Sequence, residues 1–213
     1  MTALLVPAEP TRVEIRVANS RFIATLAPAF TVEEARSFIA QVREEFADAS
    51  HNVPAFIIGH GASVISHSSD DGEPSGTAGR PALAVLQGSG LGDVVVVITR
   101  YFGGTKLGTG GLVRAYGDAV RAVLEGTPLA QKVATHMIMF VVPYGLFEPA
   151  RLLVAEYGGL ILDETFAAEV TLTARFSVNG LPPFEAALQD LTRGKGELVL
   201  VESNETTLMP LSS

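Results

Sequence analysis

The sequence predicts an α+β protein of two domains, and three observations support this class. Apolar residues recur with strand spacing and with helix spacing, and the two patterns alternate along the 213-residue chain. The order of these elements changes near residue 131, where a Gly- and Pro-containing segment (126–131) is typical of a linker. The net charge changes at the same place. Residues 1–132 include 11 basic and 13 acidic residues, a net charge of −2. Residues 133–213 include 4 basic and 10 acidic residues, a net charge of −6. We therefore expect domains at 1–130 and 131–213.

The strands of the first domain are predicted from short β-branched or aromatic runs. The first two flank a turn at Asn19-Ser20, and the last is apolar throughout, as in a strand buried on both faces. The predicted strands are Val13–Val17, Phe22–Ala27, Val53–Gly59 and Val94–Thr99.

Three helices are predicted between and after these strands. Thr31 and Glu34 form a capping-box pair that begins the first helix. A short helix is expected at Pro81–Gln87. Thr109 is the predicted N-cap of a third helix that ends at Gly126.

The second domain has a simpler order of elements. Its predicted strands and helices, in chain order, are Val133–Val142, helix Phe147–Tyr157, Leu160–Glu164, Val170–Val178, helix Pro183–Leu191 and Leu198–Val201. This is the β-α-β-β-α-β order of a ferredoxin-like domain.

Composition excludes several classes of protein. With 47% hydrophobic and 18% charged residues, the chain is too apolar to be disordered. Its longest apolar runs are far shorter than the ~20 residues of a membrane-spanning helix, and the N-terminus lacks the basic segment of a signal peptide. The chain has no cysteine, which excludes disulfides and thiolate chemistry and fits a cytoplasmic protein. No cofactor is predicted.

A glycine-rich segment, residues 100–116, is the first candidate site. It lies in the basic part of an otherwise acidic chain, between a predicted strand and a predicted helix. Backbone N–H groups of such a turn, together with the helix N-terminus, can bind a phosphate of a nucleotide or of RNA. Neither standard glycine signature for phosphate is present. The candidate binding residues are Arg80, Arg100, Tyr101, Gly103, Gly104, Lys106, Gly108, Thr109, Gly110, Gly111 and Arg114.

The glycine-rich segment also has a purely structural interpretation. Gly110 and Gly111 would then serve close helix packing, and Arg114 would pair with Asp118 on a solvated face. In that interpretation Tyr101, Phe102 and Tyr116 belong to the core.

An acidic segment, residues 70–81, is the second candidate site. Its polar residues Asp70, Asp71, Glu73, Ser75 and Thr77 alternate with small and flexible ones. Three carboxylates in four residues suit a hard cation such as Mg²⁺, so Asp70, Asp71 and Glu73 are an alternative metal site. The simpler interpretation is a loop in which Asp and Gly serve turn geometry, with no metal bound.

These two segments resemble the signature of the YigZ/IMPACT family of conserved cytoplasmic proteins. The residues that carry the resemblance are DDGEPSGTAGRP at 70–81, VVVVITRYFGGTKLGTGGLVRAYGDAV at 94–120 and the turn from Asn19 to Ala24. Residues 48–59 are similar to the family's His-containing strand, although Val53 and Pro54 stand where Cys and an aromatic residue are common.

The resemblance implies a fold and a general role. It implies a ribosomal-protein-S5-domain-2-like first domain and a ferredoxin-like second domain similar to the last domain of elongation factor G. Eukaryotic relatives regulate translation by competing for a partner that activates a stress kinase. The expected partners are therefore the ribosome, RNA or a translation-associated protein.

We therefore predict a non-enzymatic regulator linked to translation that binds RNA or a translation-associated protein through the glycine-rich segment. The net charge of −8 limits the number of phosphate contacts, and the sequence shows no obvious exposed aromatic for base stacking. The alternative is a Mg²⁺-dependent enzyme that acts on a phosphorylated small molecule or nucleotide. A third hypothesis is a protein-binding module that docks through the second domain.

Overall fold

The computed structural model describes residues 4–61 and 63–211. The chain divides into two compact units, Met1–Ala130 and Gln131–Ser213. Both units combine an antiparallel sheet with helices, in agreement with the α+β class. No helix in the described part of the chain is long and apolar enough to cross a membrane.

The first unit is built on a five-stranded sheet. Its strands are β2 (Thr11–Val17), β3 (Ser20–Pro28), β4 (His51–Ile58), β5 (Ile65–Ser68) and β6 (Val94–Tyr101). They lie in the order β2-β3-β6-β4-β5, and all neighbouring pairs are antiparallel. A short strand, β1 (Leu5–Pro7), precedes them in the chain. The backbone N of Gly92 donates a hydrogen bond to the carbonyl oxygen of Leu5 in this strand.

Helices cover both faces of this sheet. Helix α1 (Val32–Glu45) packs against one face, over Phe56 and Val95. Helices α2 (Gly79–Gly88) and α3 (Gly108–Glu125) pack against the other face. Because β6 is central and covered on both sides, its residues from 94 to 98 are fully buried, which confirms the prediction from its apolar run.

The second unit has the element order β-α-β-β-α-β. The elements are β7 (Leu129–Val142), α4 (Phe147–Glu156), β8 (Leu160–Phe166), β9 (Val170–Ser177), α5 (Leu181–Thr192) and β10 (Leu198–Pro210). Strand β7 is central, between β10 and β9, and β8 follows β9. The core contains residues of both helices, Val154 and Phe184 among them, with Phe140 and Phe176 of the sheet.

The first helix confirms its predicted start. The N of Glu34 donates to Thr31 Oγ1 at 3.1 Å, so Thr31 is the N-cap of α1. The Glu34 carboxylate, in turn, accepts from the backbone N of Phe30 at 2.7 Å. Together these bonds satisfy two donors at the helix start.

Several predicted boundaries are wrong. Strands β1 and β5 were not predicted, and β5 is mostly exposed, so it lacks the alternation of a half-buried strand. Residues 129–131, predicted as linker, begin β7, and β10 continues to Pro210 instead of ending at Val201. Thr109 is not an N-cap, because α3 begins at Gly108 and its N-cap residue Leu107 offers no side-chain acceptor.

Candidate functional site

The acidic segment leads from β5 into α2, and Asp70 organises its backbone. The Asp70 carboxylate accepts hydrogen bonds from the N of Gly76 (2.8 Å), Ala78 (3.0 Å) and Gly79 (2.8 Å). Burial by itself would raise the pKa of Asp70, but these three backbone bonds outweigh it and lower the pKa. Asp70 therefore satisfies N–H groups at the start of α2.

Asp71 also forms hydrogen bonds with other residues of the protein, through its carboxylate and its carbonyl oxygen. Its carboxylate accepts from the backbone N of Asn52 at 2.7 Å and from Arg43 at 2.6 Å. Its carbonyl oxygen lies 2.8 Å from His51 Nδ1. Because a carbonyl oxygen can only accept, Nδ1 carries the proton in this contact. The other ring nitrogen, Nε2, lies 3.8 Å from Glu73 Oε2.

Glu73 is the centre of a buried polar cluster. Its side chain is almost fully buried, and Oε1 accepts from Arg100 Nη1 at 2.6 Å and from the Tyr116 hydroxyl at 2.7 Å. Burial, and then the hydrogen bond and charge of Glu73, raise the pKa of Tyr116 far above its usual range. Tyr116 is therefore a constant donor to Glu73.

Arg100 is held on several sides inside the fold. The residue is 5% exposed, its Nη2 lies 3.5 Å from Ser20 Oγ, and its guanidinium lies over the rings of Phe22 and Phe102 at 5.4 and 5.6 Å. Its Nε is buried and has no hydrogen-bond partner. Since Glu73 neutralises its charge, Arg100 differs from the surface cation that the basic sequence suggests.

The glycines after β6 serve different purposes. A Cβ on Gly103 would lie 1.9 Å from the Asn19 carbonyl oxygen, so only glycine allows the two backbones to approach there. Gly104 and Gly108 have φ angles of +83° and +70°, which glycine adopts without strain. Gly110, in the first turn of α3, has open space where its Cβ would be. It has no packing reason to be glycine.

The two segments meet at a cavity of about 560 Å³. Helix α3 has no side-chain cap there, so N–H groups of its first turn are open to a ligand. Lys106, exposed at the edge, forms no ion pair within residues 4–61 and 63–211. The lining residues are Ser50, His51, Glu73, Pro74, Arg100, Phe102, Lys106, Leu107, Gly108, Thr109 and Leu112.

Other predicted residues lie away from this cavity lining. Arg80 is exposed on α2 and Arg114 is exposed on α3. Asp118 pairs with Arg121 at 2.6 Å, so the predicted Arg114–Asp118 pair is wrong. Tyr101 donates from its hydroxyl to Asp48 at 2.7 Å, a bond that raises its pKa. The remaining residues that do not line the cavity are Asp70, Asp71, Ser75, Thr77, Gly103, Gly104, Gly110 and Gly111.

Sequence reasoning missed three lining residues that contribute to the chemistry. His51 is the first residue of β4 and Ser50 precedes it, so both lie outside the two segments singled out in the sequence. Phe102 is 49% exposed, which corrects the expectation that the chain shows no exposed aromatic. Residues 94–100 of β6 are buried and Tyr101 is half-buried, so no alternation along the strand indicates this exposure.

The alternative Mg²⁺ site receives no support from this arrangement. Asp70 binds backbone N–H groups, Asp71 binds Arg43 and Asn52, and Glu73 binds Arg100 and Tyr116. Within the described ranges, no three acidic, His or Cys side chains are grouped so as to hold a metal ion.

The fold and this cavity define a two-domain α+β protein with a buried ion-pair cluster beside an open helix N-terminus. Comparisons with known proteins identify the family. Residues 18–124 match the family model of the Impact N-terminal domain, and residues 140–195 match a domain of unknown function (DUF1949). The chain belongs to the IMPACT family, as the resemblance in its sequence predicted.

Individual relatives match over most of their length. The chain is 37% identical over 203 residues to the IMPACT family member YigZ of Escherichia coli (strain K12), covering 95% of this chain and 100% of YigZ. It is 40% identical over 186 residues to the IMPACT family member in pol 5'region of Thermus thermophilus, covering 84% of this chain and 97% of that relative. A crystal structure of a hypothetical protein is similar with a TM-score of 0.59 and 36% identity, covering 95% of this chain and 98% of that one.

Proposed function

We propose that this protein is a regulator linked to translation that binds RNA through the glycine-rich segment. The observation that carries the proposal is the uncapped N-terminus of α3, which opens beside the exposed Lys106 at the edge of a cavity. Free N–H groups and a full positive charge at one place suit a phosphate of an RNA backbone.

The architecture of the two units supports the link to translation. The element order and strand order of the second unit, β10-β7-β9-β8, are those of a ferredoxin-like domain, and we propose this fold for residues 131–213. We propose a ribosomal-protein-S5-domain-2-like fold for residues 1–130. Both folds, and a cytoplasmic location, are what the YigZ/IMPACT resemblance implies for a protein that acts on translation.

The charges limit how RNA can be held. The chain has a net charge of −8, and Arg100 is neutralised within the fold. Lys106 and the first turn of α3 are therefore the main phosphate contacts, and Arg100 is a positioning residue that shapes the cavity floor. With so few contacts, binding is weak and the slope of log K against log salt is shallow.

Filter binding with tRNA and with rRNA fragments, between about 50 and 200 mM salt, tests the proposal. We expect binding at the low end that Lys106→Glu abolishes. Lys195→Glu is the matched control, because Lys195 is an exposed lysine of the second unit. Absence of RNA binding at low salt, or equal binding by both variants, would contradict the proposal.

A protein partner is the other outcome of this test. If RNA does not bind but the protein co-purifies with ribosomes and Lys106→Glu prevents this, an acidic protein surface is the partner. We do not propose the Mg²⁺-dependent enzyme, because each carboxylate of its site has another partner.

A further inference from the structure

The cavity beside α3 has an aromatic wall as well as a basic edge. Phe102 lines it and is 49% exposed, although the residue directly follows the buried strand β6. The apolar side chains of Leu107 and Leu112 line the same cavity. Exposed aromatic rings next to phosphate-binding groups are the means by which proteins hold unpaired nucleotides, because every base has a face that can stack.

Two charged residues of the cavity lining, Arg100 and Glu73, are not fully hydrogen-bonded within the protein. Arg100, 5% exposed, lines the cavity, and its Nε is the buried side-chain donor of the described residues that has no partner. Buried donors are rarely left unpaired, so the Arg100 guanidinium is an incompletely satisfied group in the lining of the cavity. Both hydrogen bonds to Glu73 fall on Oε1, whereas Oε2 faces His51 Nε2 at 3.8 Å. Arg100 Nε therefore has no acceptor among the described residues, and Glu73 Oε2 accepts neither of these two bonds.

We propose that this cavity takes one unpaired nucleotide, with the base against Phe102 and the phosphate at Lys106 and the first turn of α3. The inference rests on the proposed function, because it names the part of the RNA that enters the site. The cavity volume of about 560 Å³ is within the range of small-molecule sites, about 300–1,000 Å³. Paired bases present no free face to Phe102, so the site selects single-stranded ends, loops or extruded nucleotides.

Titration calorimetry with AMP, GMP, CMP and UMP tests the pocket directly, with inorganic phosphate and adenosine as partial ligands. At least one mononucleotide should bind more tightly than either partial ligand. Phe102→Ala should weaken this binding by about fivefold to a hundredfold, the usual effect of losing a stacking side chain. Phe102→Trp keeps an aromatic face and should retain affinity. Phe166→Ala, at a 54% exposed phenylalanine of the second unit, is the matched control.

The tRNA and mononucleotide measurements separate the two proposals. If tRNA binding depends on Lys106 but no mononucleotide binds more tightly than phosphate, the pocket is overturned and the proposed function stands. If a mononucleotide binds with dependence on Phe102 but tRNA does not bind, the proposed function is overturned and the nucleotide pocket stands. Equal mononucleotide affinity of Phe102→Ala and the parent protein would also overturn the pocket.

Discussion

The acidic segment and the glycine-rich segment border the same cavity but differ in how their polar groups are used. In the acidic segment every carboxylate has partners within the protein, on backbone N–H groups, arginines or Tyr116. In the glycine-rich segment the first turn of α3 has no capping side chain. Small residues and glycines are common to both sequences, so composition alone does not distinguish a loop that is internally satisfied from one that is open to a ligand.

Removal of the Glu73 carboxylate should have the largest effect on stability. Glu73→Ala leaves the buried Arg100 charge without its partner, so the free energy of unfolding should fall by about 3–5 kcal/mol. Urea denaturation measures this loss. Glu125→Ala, at an exposed glutamate of α3, is the control and should change stability by less than about 0.5 kcal/mol. Equal effects of the two variants would show that the cluster does not stabilise the fold.

Two glycines of the glycine-rich segment should respond in opposite directions. Gly103→Ala places a methyl group against the Asn19 backbone, which cannot yield easily, so it should cost about 3 kcal/mol. Gly110→Ala meets open space within a helix and should stabilise the protein by up to about 1 kcal/mol. Thermal unfolding of both variants compares them directly. Destabilisation by Gly110→Ala would contradict the description of this turn as open.

The Asp70 carboxylate makes the stability of the protein depend on pH. Asp70→Asn should cost about 2 kcal/mol at neutral pH, because a carboxylate with three N–H donors is lost. The pKa of Asp70 is lowered in the folded state, so its contribution is complete above the unfolded pKa of about 3.9 and is lost as pH falls through the folded value. The free energies of unfolding of the parent protein and of Asp70→Asn should therefore approach each other as the pH falls below about 4. Asp118→Asn, which changes a surface ion pair, is the control.

Lys106 should have the smallest effect on folding and a clear effect on binding. Lys106→Ala should leave the free energy of unfolding within about 0.5 kcal/mol, because this exposed side chain forms no ion pair in the described ranges. The slope of log K against log salt for single-stranded RNA should become shallower by about 0.7, the value for one phosphate contact. An unchanged slope would show that Lys106 does not contact an RNA phosphate.

Much of the fold could be predicted because local pattern and tertiary environment agree. Strand β6 is an apolar run and is buried on both faces, and α1 begins at the capping residue that its sequence indicates. The short strands β1 and β5 could not be predicted in this way, since β5 is largely exposed and has no apolar alternation.

The site was harder to predict, because its contacts join distant parts of the chain. Glu73 is 27 residues from Arg100 and 43 from Tyr116, and no local spacing relates them. The sequence predicted a basic surface at Arg100, whereas the fold buries that charge against Glu73. The exposure of Phe102 also depends on where the sheet ends.

The aromatic wall of the cavity also provides a means of observing the site. The chain contains no tryptophan and no cysteine. Phe102→Trp would therefore introduce a single indole at the cavity, and its fluorescence would change with the water around it. Thr109→Cys would place a unique thiol in the lining of the same cavity for attachment of a dye. Occupancy of the cavity could then be followed in real time, in cell extracts as well as with purified RNA.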